Sequence, residues 1–132
     1  MDMWPGTDPD LDTFTALAVA ALRNLPREFK ALTGNLELRT AEWPTDDALQ
    51  SVGLTHPLDL LGLFEGFGMT EAAWSAPTGV FPNRIWLYRS PILAFTAEGE
   101  DTLEAVITHV LVHEIGHHFG LSDDDMEAID NA

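Results

Sequence analysis

Apolar residues near the start of the chain recur at the spacing of an amphipathic helix. The pattern predicts that a helix begins with Asp8 as its N-cap and Pro9 at the first helical position. Pro26 interrupts the pattern, and a short second helix is predicted over Arg27–Thr33. The apolar positions of the first helix are Leu11, Phe14, Leu17, Ala18, Ala21, Leu22 and Leu25.

Two later segments have the composition and periodicity of β-strands. Residues Leu36–Arg39 alternate apolar and polar, as a strand with one solvent-facing side does. Residues Ile85–Tyr88 are rich in β-branched and aromatic side chains and form the strongest strand prediction in the chain. Pro91 is expected to end that strand.

The region between these two strands has a weaker pattern. A short helix is predicted over Ala48–Val52, beginning near Thr45. Residues 53–83 are rich in glycine and proline, so we expect mostly loops there, with one apolar run at Leu58–Phe64. No repeat, low-complexity tract or linker divides the sequence, and a single domain over residues 1–132 is predicted.

The last long periodic segment runs from about Glu98 to Phe119. Its apolar residues cover most of the helix surface, which predicts a central, buried helix. They are Leu103, Ala105, Val106, Ile107, Val110, Leu111, Val112, Ile115 and Phe119.

This buried helix also carries the sequence H-E-x-x-H, formed by His113, Glu114 and His117. Four residues advance a helix by about 400°, so the two histidines project from one face, one turn apart. Two imidazoles placed in this way can bind one Zn²⁺ ion, and Glu114 can flank the metal and accept a proton from a zinc-activated water. Zinc also satisfies polar side chains that would otherwise be costly inside an apolar helix.

A third ligand has to come from another part of the chain, because catalytic zinc sites use three protein ligands and keep a fourth position open. Gly120 can adopt the left-handed conformation that ends a helix, and Asp123 follows it within a reach of about 10 Å. Spacing alone leaves Asp124 and Asp125 open as well. His109, one turn before His113, is a further alternative: a third ligand, a hydrogen-bond donor to the transition state, or a group that supports the ligands. The simpler interpretation is a helix histidine bonded to solvent or to a neighbouring carboxylate.

Composition narrows the classes of partner. The chain has no cysteine, which leaves His, Asp and Glu as metal ligands. Its net charge of −16 disfavours nucleic acid and anionic membranes, and no Lys or Arg occurs from Ser90 to Ala132. The negative charge of this segment favours a bound cation and basic substrates. With no signal sequence or membrane-spanning segment recognised, we expect a cytoplasmic protein. We also expect it to act as a monomer.

Three segments resemble the small bacterial zincin-like metallopeptidases, or minimal zincins. They are Leu60–Gly66, Pro82–Ile92 and Val112–Asp123, and the last, H-E-x-x-H-x-x-G-x-x-D, is the most specific. The resemblance implies a compact α+β domain with a small mixed sheet and a central helix carrying H-E-x-x-H. It also implies hydrolysis of peptide bonds in a peptide or protein substrate, with Zn²⁺ held by His113, His117 and Asp123.

Some assignments stay open after this comparison. The alternative function is a zinc-binding interaction or structural module with the same ligands and no turnover. Tyr88 and Arg89 are secondary candidates for stabilising an oxyanion, although core packing and a surface ion pair are the simpler interpretations. His118 points away from the ligand face and is expected to be structural, and Glu65 is a weaker candidate neighbour of the ligands.

Overall fold

The computed structural model describes residues 8–33, 36–65 and 83–130. Helices and strands alternate irregularly along these ranges, as expected for an α+β protein. The helices are α1 (Leu11–Arg23), α2 (Arg27–Thr33), α3 (Asp46–Ser51), α4 (Arg89–Glu98), α5 (Leu103–His118) and α6 (Asp123–Asp130), and the strands are β1 (Leu36–Ala41), β2 (Gly62–Glu65) and β3 (Asn83–Tyr88). A 3₁₀ turn covers Pro57–Asp59. No helix in the described ranges is long and apolar enough to cross a bilayer.

The three strands form a mixed sheet in the order β1-β3-β2. The strand β3 lies in the centre, parallel to β1 with Leu38 opposite Ile85, and antiparallel to β2 with Phe64 opposite Ile85. This arrangement confirms the predicted α+β class and small mixed sheet. The strand β2 falls inside the segment predicted to be mostly loops, and residues 66–82 of that segment lie outside the described residues.

Side chains alternate between the two faces of the sheet, and each face has its own apolar cluster. Ile85 and Leu87 of β3 are fully buried in the larger cluster, together with residues of α1 and α5. Trp86 and Tyr88 point to the other face, where Tyr88 packs in a smaller cluster with Leu49 of α3. The sheet therefore separates the α5 side of the molecule from the α3 side.

The segment predicted as one helix from about Glu98 to Phe119 contains a break near its start. The helix α4 ends at Glu98, and α5 begins only after Thr102, whose hydroxyl accepts a hydrogen bond from the Ala105 N–H at 3.1 Å. Thr102 is thus the N-cap, and its side chain satisfies a backbone donor that a continuous helix would have used internally. The interior of α5 is as buried as its composition predicted.

The sequence pattern did not predict α4, because Pro91 looked like a simple end to the strand. Proline is tolerated in the first turn of a helix, and Pro91 occupies that turn. The Ser90 N–H donates to the Glu42 carbonyl oxygen at 3.1 Å, so a distant residue satisfies this end of the helix. Hydrogen bonds from the Ser90 hydroxyl and from Arg89 hold the pKa of the Glu42 carboxyl below its usual value.

The remaining boundaries are close to the predicted ones. The N-cap of α1 is Asp10 instead of Asp8, because the Asp10 carboxylate accepts from the Thr13 N–H at 2.8 Å. The helix α2 has the predicted bounds, and β1 continues two residues past the predicted end to Ala41. Thr45 caps α3, as its position before the apolar residues indicated.

Candidate metal centre

The histidines of the H-E-x-x-H sequence lie on one side of the last turns of α5. The ring centroids of His113 and His117 are 5.8 Å apart, and the two rings are nearly perpendicular at 83°. Two imidazoles that share a zinc ion at about 2.0–2.1 Å have centroids separated by roughly 5–6 Å. His113 is half-buried and His117 is exposed, so this face of the helix is open to solvent and to a metal ion.

Glu114 lies on the neighbouring stripe of α5, which faces β2. Val110 and His118 share this stripe at helical spacing. Both residues contact β2. Val110 packs closely against Gly62, where an added Cβ atom would lie 2.8 Å from Val110 Cγ1, and the ring of His118 stacks on Phe64 with centroids 4.0 Å apart. Glu114 therefore sits between two contacts to β2. Burial raises the pKa of its carboxyl, and the charge of His117 partly opposes this rise. A higher pKa makes the carboxylate a better proton acceptor, as a general base requires.

The chain reverses direction directly after the histidines. Gly120 has a φ of 74°, a left-handed conformation that glycine adopts without strain. The Leu121 N–H donates to the Gly116 carbonyl at 2.9 Å, and the Gly120 N–H donates to the His117 carbonyl at 3.2 Å. These paired bonds define a Schellman end, as the glycine predicted.

After this reversal, α6 begins with the three aspartates. Ser122 caps the helix, since its hydroxyl accepts from the Asp125 N–H at 3.1 Å and the Ser122 N–H donates back to the Asp125 carboxylate at 3.4 Å. Asp123 and Asp124 occupy the first turn, and both are exposed. In the ranges that the structure describes, no three His, Asp or Glu side chains are grouped so as to hold a metal ion. The structure thus brings the two histidines together, while a ligand role for Asp123 is a proposal.

Gly116 lets α6 pack directly against α5. A Cβ atom at this position would lie 2.5 Å from the Sδ atom and 2.8 Å from the Cγ atom of Met126, which is fully buried. Close packing against another element therefore accounts for a glycine inside the helix. Met126 was not predicted to have a role, although an apolar residue among the acidic residues of α6 is the signal that it packs inward. The contact fixes the element that carries Asp123 onto the helix that carries the histidines.

We expect Gly116→Ala to destabilise the protein by about 1–3 kcal/mol despite the better helix propensity of alanine, because the new methyl group overlaps Met126. Chemical denaturation measures this change. Met126→Ala should also destabilise the protein, since it leaves a cavity in the core.

The double variant Gly116→Ala with Met126→Ala is the control. It should be more stable than the sum of the two single effects predicts, because the truncated side chain leaves room for the methyl group. If the two destabilisations were strictly additive, the contact with Met126 would not be the reason for a glycine at position 116.

A sequence profile described as zincin-like metallopeptidase matches residues 33–132, which is most of the chain. The chain belongs to the zincin-like metallopeptidase family.

A solved structure shows a similar fold. A conserved hypothetical protein from Thermus thermophilus superposes with a TM-score of 0.51 and 22% sequence identity, covering 84% of this chain and 94% of the other. At this level of identity the likeness concerns the fold alone. A search of curated proteins gives no significant match.

His109 of this zincin-like chain lies against the first metal-ligand candidate. Its ring centroid is 4.0 Å from that of His113, and the two rings are tilted by 38°. His109 is exposed, and its ring lies against the ring of the candidate ligand His113. This contact places His109 where it can orient His113, and the alternative of direct ligation stays a hypothesis.

His118 packs against the zincin-like core, as the sequence suggested for a residue off the ligand face. Its ring stacks on Phe64 and meets Phe119 edge-on, with centroids 4.0 and 5.1 Å away. Its Nε2 atom is buried without a hydrogen-bond partner among the described residues. Burial accordingly lowers the pKa of this histidine, which favours the neutral ring.

The secondary candidates outside α5 have other partners. The Arg89 Nη1 atom donates to Glu42 at 2.7 Å, and its Nε atom donates to the Pro9 carbonyl at 2.8 Å. Tyr88 is buried on the α3 side of the sheet, where desolvation and the charge of Glu65 raise its pKa to about 12. Glu65 accepts a hydrogen bond from the Trp86 indole on that same side. These contacts agree with the simpler interpretations: Tyr88 packs in the core, and Arg89 forms an ion pair with Glu42.

Proposed function

We propose that this zincin-like protein is a zinc metallopeptidase that hydrolyses peptide bonds in a peptide or protein substrate. The observation that carries the proposal is the placement of His113 and His117 one turn apart, with ring centroids at 5.8 Å, on a face of α5 open to solvent. Membership of the metallopeptidase family supports the same chemistry.

The donor atoms suit zinc. Imidazole nitrogens and a carboxylate oxygen are ligands that catalytic zinc sites use, and the chain offers no thiolate. In the proposed site His113, His117 and Asp123 hold the ion. Zinc bound there would polarise the scissile carbonyl and lower the pKa of a water molecule. The Schellman turn at Gly120 and the Gly116–Met126 contact keep Asp123 close in space to α5.

Glu114 performs the proton transfers in this proposal. Its carboxylate takes a proton from the attacking water and delivers it to the leaving amine. Burial raises the pKa of the Glu114 carboxyl, and a higher pKa makes the carboxylate a better proton acceptor.

The strand β2 offers a way to align the substrate. It pairs with β3 on one side, and within the described residues no strand pairs with its other side. An extended peptide can add to such an edge through backbone hydrogen bonds. Because Glu114 lies on the α5 stripe that faces β2, a peptide bound there would pass near the proposed base.

The test of function is cleavage of a proteome-derived peptide library by the purified protein, read by mass spectrometry. We expect cleavage that a chelator abolishes and that added Zn²⁺ restores. Stoichiometric zinc without any cleavage would favour the interaction or structural module instead. Protein that binds no zinc would contradict both.

We expect Asp123→Ala to weaken zinc binding by more than about 100-fold, because it removes a proposed ligand and the loss of an outer partner of a ligand already costs about 10- to 100-fold. Asp124→Ala is the matched control, because it removes the same charge from the next position of the same exposed turn. Zinc affinity is measured by competition with a chromophoric chelator.

The control should retain zinc affinity within about 3-fold, the size of a screened charge effect near a helix end. Equal losses in the two variants would show that the aspartates act through their general field, and the third ligand would have to be sought elsewhere, with His109 as the next candidate.

A further inference from the structure

A pocket lies between the sheet and α3, on the opposite face of the sheet from α5 and its histidines. Its volume is about 310 Å³, at the lower end of the range for sites that take small ligands or single side chains. The sheet contributes Leu63, Trp86 and Tyr88 to its lining. The helix α3 is short, with bounds Asp46–Ser51, and it covers this face only in part.

The surface of this pocket is aromatic. The rings of Trp86 and Tyr88 lie side by side and almost parallel, with centroids 6.4 Å apart and an angle of 7°. Trp43 lines the same pocket and is 48% exposed. Large aromatic side chains normally bury most of their surface, so a half-exposed tryptophan at the wall of a cavity indicates a surface available to a ligand.

The charges around the pocket favour a cation. Asp47 and Glu65 contribute two carboxylates to the lining, and Arg84 contributes one guanidinium. Arg84 is already paired, with its Nε atom 2.9 Å from Glu37 and its Nη1 atom 4.0 Å from Glu65. No ion pair to Asp47 is found within the described ranges. Its carboxylate is thus a negative charge beside an aromatic surface, in a chain of net charge −16.

We propose that this pocket binds an arginine side chain of a partner polypeptide, with the guanidinium against the tryptophan rings and its N–H groups directed to Asp47. A guanidinium is planar and weakly hydrated, so it stacks on aromatic rings and can pair with a carboxylate at the same time. A lysine ammonium offers the charge without the planar face, and it binds less well. This site is independent of the metal centre, and the inference does not depend on the proposed function.

Binding is tested with N-acetyl-arginine N-methylamide and its citrulline counterpart, which has nearly the same shape without the charge. The indole N–H resonances of Trp43 and Trp86 in ¹H–¹⁵N spectra report occupancy, at near-physiological salt and with the full chain. We expect saturable shifts of both resonances, with the arginine compound binding about five- to ten-fold more tightly than the citrulline compound. Equal affinities, or no shift at millimolar concentrations, would overturn the proposal.

Two variants locate the interaction. Asp47→Asn should weaken binding of the arginine compound by about three- to five-fold, whereas Asp46→Asn, its neighbour in the first turn of α3, should have no measurable effect. Asp46 does not line the pocket, so it controls for the general field and for the helix end. Trp43→Leu should also weaken binding while the protein stays folded, because Trp43 is half-exposed. Identical behaviour of the two aspartate variants would refute the assigned contact.

The same titration with Glu114→Gln protein should give an unchanged affinity, because Glu114 lies on the other side of the sheet. Binding that survives there, whether or not the protein proves to be a peptidase, separates this pocket from the catalytic proposal. Loss of binding in that variant would mean that the arginine compound occupies the metal centre instead.

Discussion

Replacing Glu114 with glutamine should lower kcat for peptide hydrolysis by about 10²- to 10⁴-fold while zinc remains bound, because the amide cannot take up a proton from water. Glutamine has nearly the same shape, so the packing of α5 against β2 should be preserved. The measurement is the initial rate on the best substrate found in the peptide library, together with the zinc content of the same preparation.

Glu104→Gln is the matched control for this experiment. Glu104 is an exposed glutamate in the first turn of the same helix, so the variant makes the same chemical change far from the histidines. Its activity should equal that of the wild type. If Glu114→Gln retained wild-type turnover with zinc bound, Glu114 would not be the general base.

His113→Ala and His117→Ala should each abolish stoichiometric zinc binding. Losing even an outer partner of a metal ligand costs about 10- to 100-fold in affinity, and losing a ligand itself should cost more. Metal content by mass spectrometry and affinity by chelator competition measure the effect. The proposed site forms only in the folded chain, so zinc should stabilise the folded wild type. Thermal stability of each variant in the presence of zinc should therefore fall towards that of the metal-free wild type.

His109→Ala is the control for the histidine variants. His109 precedes His113 by one turn and stacks on its ring, so its loss should weaken zinc binding moderately, by about 10-fold, through a less fixed orientation of His113. Stoichiometric zinc in either His113→Ala or His117→Ala would rule out the proposed site. A complete loss of zinc in His109→Ala would make His109 a ligand.

Features that depend on residues close together in sequence could be predicted. The spacing of His113 and His117 fixes their placement on one side of any α-helix, because the helical period is a property of the backbone. Gly120 marks the end of α5 for a similarly local reason, since it accepts the left-handed conformation that a Schellman end requires. The apolar composition of the same segment indicated that the helix would be buried.

Features that depend on distant contacts were missed or misplaced. In the first turn of α4, the Ser90 N–H donates to the Glu42 carbonyl. This partner is distant in sequence, so no local pattern could indicate it, and Pro91 alone indicates only the end of the strand. The strand β2 is short and lies in a glycine-rich stretch, and its pairing with β3 is what makes it a strand.

The sequence by itself determined what the proposed chemistry would use: the donor atoms, their order along α5, the absence of thiolates and the excess of negative charge. The tertiary structure decided which neighbours those residues have. In the folded chain, Met126 of α6 packs against Gly116 of α5, and Glu114 lies on the side of α5 that faces β2. Tyr88 and Glu65 lie on the opposite side of the sheet. The division has a physical cause. Backbone periodicity acts over one or two helical turns, whereas packing and strand pairing join segments whose separation along the chain carries no information about their distance in space.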